Sequence, residues 1–123
     1  MTWSDHDGAP PPGTVLCRFD ALADGVGTAF PFGDGPYAFR LFVIRRGDTL
    51  TAYVNACSHL GIPLNPGVDH TFLTPDGTAI RCQHHGAQFA IDDGRCLKGD
   101  CDGIGLTPVP LAVVDGAVVI GDV

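Results

Sequence analysis

Residues 39–55 read FRLFVIRRGDTLTAYVN. Two runs rich in β-branched and aromatic residues, Phe39 to Arg45 and Thr49 to Asn55, flank Arg46-Gly47-Asp48. Such runs around a glycine-containing tight turn predict a β-hairpin. The same pattern repeats outward. Thr71 to Thr74 and Thr78 to Cys82 flank Pro75-Asp76-Gly77, a second hairpin, and Val109 to Val114 and Ala117 to Ile120 flank Asp115-Gly116, a third. Between these, Phe89 to Ile91 leads into a turn at Asp92-Asp93-Gly94 and a loop through Gly105. Toward the N-terminus, Leu22 to Gly35 is glycine-rich and breaks at Pro31 and Pro36, which predicts a turn and an edge segment. Thr14 to Phe19 is a short β-prone run containing Cys17. No window sustains a 3.6-residue period, so the expected fold is all-β and antiparallel with many short strands.

The chain has 123 residues, the size of one domain, and a hydrophobic fraction of 45%, enough for one core. Residues 1–13, with three consecutive prolines, read as a flexible tail, and residues 14–123 as the domain. Seventeen glycines and ten prolines scattered between apolar runs mark turns rather than low complexity. Fourteen acidic against seven basic residues give a net charge of −7, which argues against nucleic acid or an anionic membrane as partner. The acidic balance suits docking onto a basic patch of another protein, although solubility alone would also explain it. No stretch reaches the length of a membrane helix, and residues 1–13 lack the basic start and apolar segment of a signal peptide. The expectation is a cytoplasmic protein with reduced thiols. Five cysteines, an odd number, exclude a full disulfide framework and favour metal or redox duty.

Two segments concentrate that chemistry. Cys57-Ser58-His59-Leu60-Gly61 follows the strand ending at Asn55, and Cys82-Gln83-His84-His85-Gly86 follows the strand ending at Arg81. Between His59 and Cys82 lie 82 − 59 − 1 = 22 residues, enough for a hairpin that returns the second segment beside the first. A site with two cysteine and two histidine ligands is thus permitted. Structural zinc also takes such a set, but usually with like ligands paired and the histidines on a helix. Here each segment mixes the two types. A two-iron cluster accommodates that arrangement, each loop giving its cysteine to one iron and its histidine to the other. Neutral imidazoles in place of two thiolates remove negative charge and ease reduction.

The sequence CSHLG followed by CQHHG resembles the paired motif C-x-H…C-x-x-H-G of the Rieske family, and the likeness extends over residues 14–120. The resemblance implies one [2Fe–2S] cluster per chain, a small cluster-binding subdomain of two loops on a β scaffold, and Cys57, His59, Cys82 and His85 as ligands. It selects His85 over His84, which a symmetric C-x-H in both loops would have chosen. High-potential respiratory members carry a disulfide between the cluster loops and Ser and Tyr donors to the cluster sulfurs. Here Ile62 and His84 stand where those cysteines would be, and Ala87 and Phe89 where those donors would be, which implies a potential low in the Rieske range. The Gly99 to Leu106 loop would cover the cluster. Cys96 and Cys101 flank Gly99, and a reducing cytosol favours free thiols there over a local disulfide. Cys17 reads as a small buried hydrophobe.

A domain of this size leaves little room for a substrate pocket, and His6, His70 and His84 offer no facial triad for a mononuclear iron. The expected role is an electron-transfer component rather than a stand-alone enzyme. It would be a soluble ferredoxin between a flavin reductase and an oxygenase, the electron leaving through the imidazole edges of His59 and His85. The alternatives are the small Rieske subunit of a larger oxidoreductase such as nitrite reductase, and a structural zinc module.

Overall fold

The computed structural model describes residues 10–32, 39–55, 73–74, 77–82, 87–99 and 105–121. Among these the chain is all-β, with one 3-10 turn at Phe19–Ala21 and no α-helix. The central sheet is formed by β2 (Gly27–Phe32), β3 (Phe39–Arg46) and β4 (Thr49–Val54), in the order β2-β3-β4. A second sheet has the order β5 (Ile80–Arg81), β6 (Gln88–Phe89), β7 (Cys96–Lys98). In the third, β9 (Ala117–Ile120) lies between β1 (Val15–Arg18) and β8 (Leu111–Val114). All pairings are antiparallel.

The β3–β4 hairpin forms as expected, with Arg46 paired to Thr49 and Gly47 at φ +64° in the turn. Leu41, Phe42, Val43 and Ile44 are all fully buried, which a strand with one solvated face does not allow. Successive side chains of a strand point to opposite faces, and here both faces are covered. Phe42 and Ile44 of β3, with Tyr53 of β4, join Ile80, Cys82, Ala87, Phe89, Ile91 and Leu106 in one apolar cluster. Phe39, Leu41 and Val43, with Ala52 and Val54, join Leu22, Val109, Val118 and Ile120 in another. The unbroken apolar run of β3 is therefore the signature of a central strand clamped between two layers.

The third hairpin also forms, with Val114 paired to Ala117 around Asp115-Gly116. Its first arm starts at Leu111 rather than Val109, because Pro110 has no N–H for a ladder. The Val109 N–H instead donates to Ala52 O at 2.8 Å, and the Pro110 carbonyl accepts from Gly121 N–H at 2.8 Å. Two further differences concern the segments read as irregular. The expected edge segment is a six-residue strand, β2, in continuous register with β3, and Pro31 is tolerated because β2 is an edge. The loop expected after Asp92-Asp93-Gly94 begins with a strand, β7, whose Cys96 pairs with Phe89 of β6. Of the second hairpin, Leu73 bridges Ile80 and Thr74 N–H donates to Ala79 O at 2.9 Å, as expected; residues 71–72 and 75–76 lie outside the described residues. No helix among the described residues is long and apolar enough to cross a membrane.

Cys17 packs against the second apolar cluster, and burial pushes its thiol pKa up. It is only partly buried, short of the buried hydrophobe that the sequence suggested.

Candidate metal centre

Of the four expected ligands, Cys82 is described, while Cys57, His59 and His85 lie outside the described residues, as does His84. The backbone nevertheless fixes where both ligand segments are anchored. The first leaves the end of β4, where Val54 N–H donates to Thr107 O at 2.9 Å and Asn55 N–H donates to Arg40 O at 2.8 Å. The exit is thus held on one side by β3 and on the other by the segment after residue 105. Asn55 is also the one buried polar residue in the described core.

The second segment spans the β5–β6 hairpin. Arg81 pairs with Gln88, and Cys82 N–H donates to Ala87 O at 2.8 Å. Residues 83–86, which carry both histidines, therefore connect two backbones already hydrogen-bonded to each other. Cys82 is fully buried in the same apolar cluster as Phe42, Tyr53 and Phe89, and its sulfur is in no disulfide. That suits a thiolate ligand, since a disulfide sulfur could not serve. Among the described residues no group of three metal-ligating side chains converges.

The β7 strand brings a second contact to this hairpin. Gly99, at φ +95°, lies so close that a Cβ there would stand 2.7 Å from Ala87 Cα. The turn between β6 and β7 is held from within and from without. Ala90 N–H donates to Arg95 O and Gly94 N–H to Ala90 O, both at 2.9 Å. On the surface Arg95 pairs with Asp93 at 2.9 Å and Asp92 at 3.2 Å. The Arg95 backbone N–H, and then its guanidinium, lower the Asp93 carboxyl pKa below its usual value.

Cys96 departs from the free-thiol expectation: it is disulfide-bonded. The compartment sets only an average redox poise, whereas a folded strand that holds one thiol near another shifts their own equilibrium toward the bond. Cys17 and Cys82 are in no disulfide, so the remaining candidates for its partner are Cys57 and Cys101. With Cys57 an expected cluster ligand, Cys101 is the expected partner. Alkylation followed by non-reducing peptide mapping will therefore show Cys96 linked to Cys101. A Cys57–Cys96 link would remove one of the four ligands and contradict the assignment.

Comparison with known proteins agrees with this architecture. The family model of the Rieske [2Fe–2S] domain matches residues 14–108. The chain belongs to the Rieske [2Fe–2S] domain family, and with it comes one [2Fe–2S] cluster per chain. The solved ferredoxin of carbazole 1,9a-dioxygenase from Nocardioides aromaticivorans IC177 is 25% identical, with a TM-score of 0.68 over 89% of this chain and 97% of that one. A ferredoxin of Sphingomonas yanoikuyae B1 is 27% identical, with a TM-score of 0.67 over 89% and 98%. No match is found among curated proteins. A Rieske domain that spans nearly the whole length of such ferredoxins is an electron carrier, and the zinc alternative falls with the family assignment.

Tyr53 gives no sign in the sequence of its hydrogen bond to Ile91, and Gly94 and Gly99, readable as turn and loop glycines, give none of their close approaches to Tyr53 and Ala87. Their partners lie far along the chain or depend on a backbone approach, which residue type alone does not signal.

Proposed function

We propose that this protein carries single electrons from a flavin reductase to an oxygenase, on a low-potential cluster held by Cys57, His59, Cys82 and His85. The cluster supplies one-electron chemistry, and the chain supplies its ligands and surroundings. The observation that carries the reading is the near end-to-end correspondence with dioxygenase ferredoxins. One solved neighbour, 25% identical with a TM-score of 0.65, is from a complex of reduced oxygenase and oxidised ferredoxin.

The residues around the site support the low potential. Ala87 and Phe89 are fully buried and offer no side-chain donor to a cluster sulfur. Fewer donors stabilise the electron-rich reduced state less. The net charge of −7 would steer the protein toward a basic partner face.

Steering of this kind is screened by salt. In stopped-flow mixing with a flavin reductase and an oxygenase from the same source organism, the second-order rate of electron delivery will fall as ionic strength rises. Co-purification with a large oxidoreductase subunit in a complex that salt does not disrupt would instead make the chain a permanent subunit.

A further inference from the structure

Tyr53 stands at the meeting point of three segments. It lies in β4, two residues before Asn55, where the first ligand segment begins. Its side chain is buried, and its hydroxyl donates to Ile91 O at 2.6 Å, in the turn that closes the β6–β7 hairpin. Its backbone bridges Pro108, on the strand-like segment that follows residue 105. The ring also fixes what can stand opposite. A Cβ on Gly94 would lie 2.7 Å from Tyr53 Cε1, and one on Gly105 would lie 2.7 Å from Gly94 O. Leu106 N–H donates to Gly94 O at 2.8 Å, so the turn and the third segment are locked together under the ring.

We infer that the Tyr53 hydroxyl is a positioning group for the cluster, tying the strand that leads into the first ligand loop to the turn that follows β6, the strand that leaves the second. This rests on the ligand reading above. Without the hydroxyl, β4 and the 91–94 turn would meet directly only through apolar packing, which is non-directional, and otherwise only through the segment after residue 105. A hydrogen bond adds what packing lacks, a fixed distance and angle between β4 and the 91–94 turn. The buried Ile91 carbonyl would also lose its acceptor role, at the cost of an unsatisfied polar group.

The tie holds across the working pH range. Burial, and then the nearby Asp93 and Asp92 carboxylates, push the Tyr53 pKa up to about 12. A raised phenol pKa means that the stabilisation is fully present below the ordinary value near 10 and is lost as pH climbs through about 12. The hydroxyl therefore keeps its proton throughout a redox titration at neutral pH.

The test compares holoprotein carrying Tyr53→Phe with holoprotein carrying Phe42→Leu. Phe42 belongs to the same apolar cluster, its ring 5.9 Å from that of Tyr53, but it has no hydroxyl. Both variants weaken the core, and only Tyr53→Phe removes the tie. Iron release to EDTA, measured at denaturant concentrations chosen to match global stability, will be about tenfold faster in Tyr53→Phe than in Phe42→Leu. The reduced Tyr53→Phe protein will also show shifted EPR g values and an altered midpoint potential, while Phe42→Leu keeps those of the wild type. Equal release rates with unchanged g values and potential in both variants would overturn the assignment while leaving the ligand reading intact. A wild-type protein without a two-iron signal would overturn both.

Discussion

His85→Ala will abolish the Rieske EPR signal of the reduced protein, and His84→Ala will leave it present. The two histidines are sequence neighbours within residues 83–86, which span a hairpin pinned by the Cys82 N–H to Ala87 O hydrogen bond. Removing a true ligand leaves one iron a donor short, and alanine cannot replace an imidazole. The effect is close to all-or-none, since the cluster's affinity depends on every ligand. Removing a neighbour disturbs only the surroundings of the cluster, which tune its potential and leave it bound. Iron and sulfide content should be measured with the spectrum, so that loss of the cluster is distinguished from a change of redox state. A His84→Ala protein without signal beside a His85→Ala protein with one would reverse the choice of ligand.

Gly99→Ala will destabilise the folded protein by more than about 2 kcal/mol in denaturant unfolding, and the purified variant will retain less iron. Two costs combine. At φ +95° a side chain of the L series is strained, and the new Cβ would press to 2.7 Å on a backbone atom, Ala87 Cα, that has no rotamer to escape into. Relief requires β7 to move away from the hairpin that carries the second ligand segment. Gly47→Ala provides the control. It is also at positive φ, +64°, but nothing lies within 4 Å of its would-be Cβ, so only the conformational cost of about 1 kcal/mol applies. If the two variants unfold at the same denaturant midpoint, the close approach of Gly99 to Ala87 contributes nothing.

These expectations show which features a sequence can carry. The β3–β4 and β8–β9 hairpins were legible because strand composition and turn residues are adjacent along the chain. The continuous apolar run at 41–44 announced a strand, but its reason, a layer on each side, appears only once both sheets are in place. β7 was missed because Cys96–Lys98 is three residues long and its half-exposed Leu97 gives no alternation to read. Pro31 suggested a break in what is a full edge strand, since a missing N–H costs little where no neighbour needs it.

The site divides in the same way. The ligand motifs are readable because each loop is local, but of their four residues only Cys82 lies among the described ones, buried and in no disulfide just after β5. The hydroxyl contact between Tyr53 and Ile91 joins residues 38 positions apart, and nothing in either residue type predicts it. The disulfide at Cys96 departs from the free thiols that the compartment favours, an average property that folded proximity overrides.

We propose that this chain holds its two-iron cluster through mixed cysteine and histidine ligands. Metal and acid-labile sulfide analysis of the purified protein, with an EPR spectrum after dithionite reduction, tests it most directly. Two irons and two sulfides per chain and a Rieske-type signal are the expected result. A colourless protein with one zinc and no sulfide would contradict it.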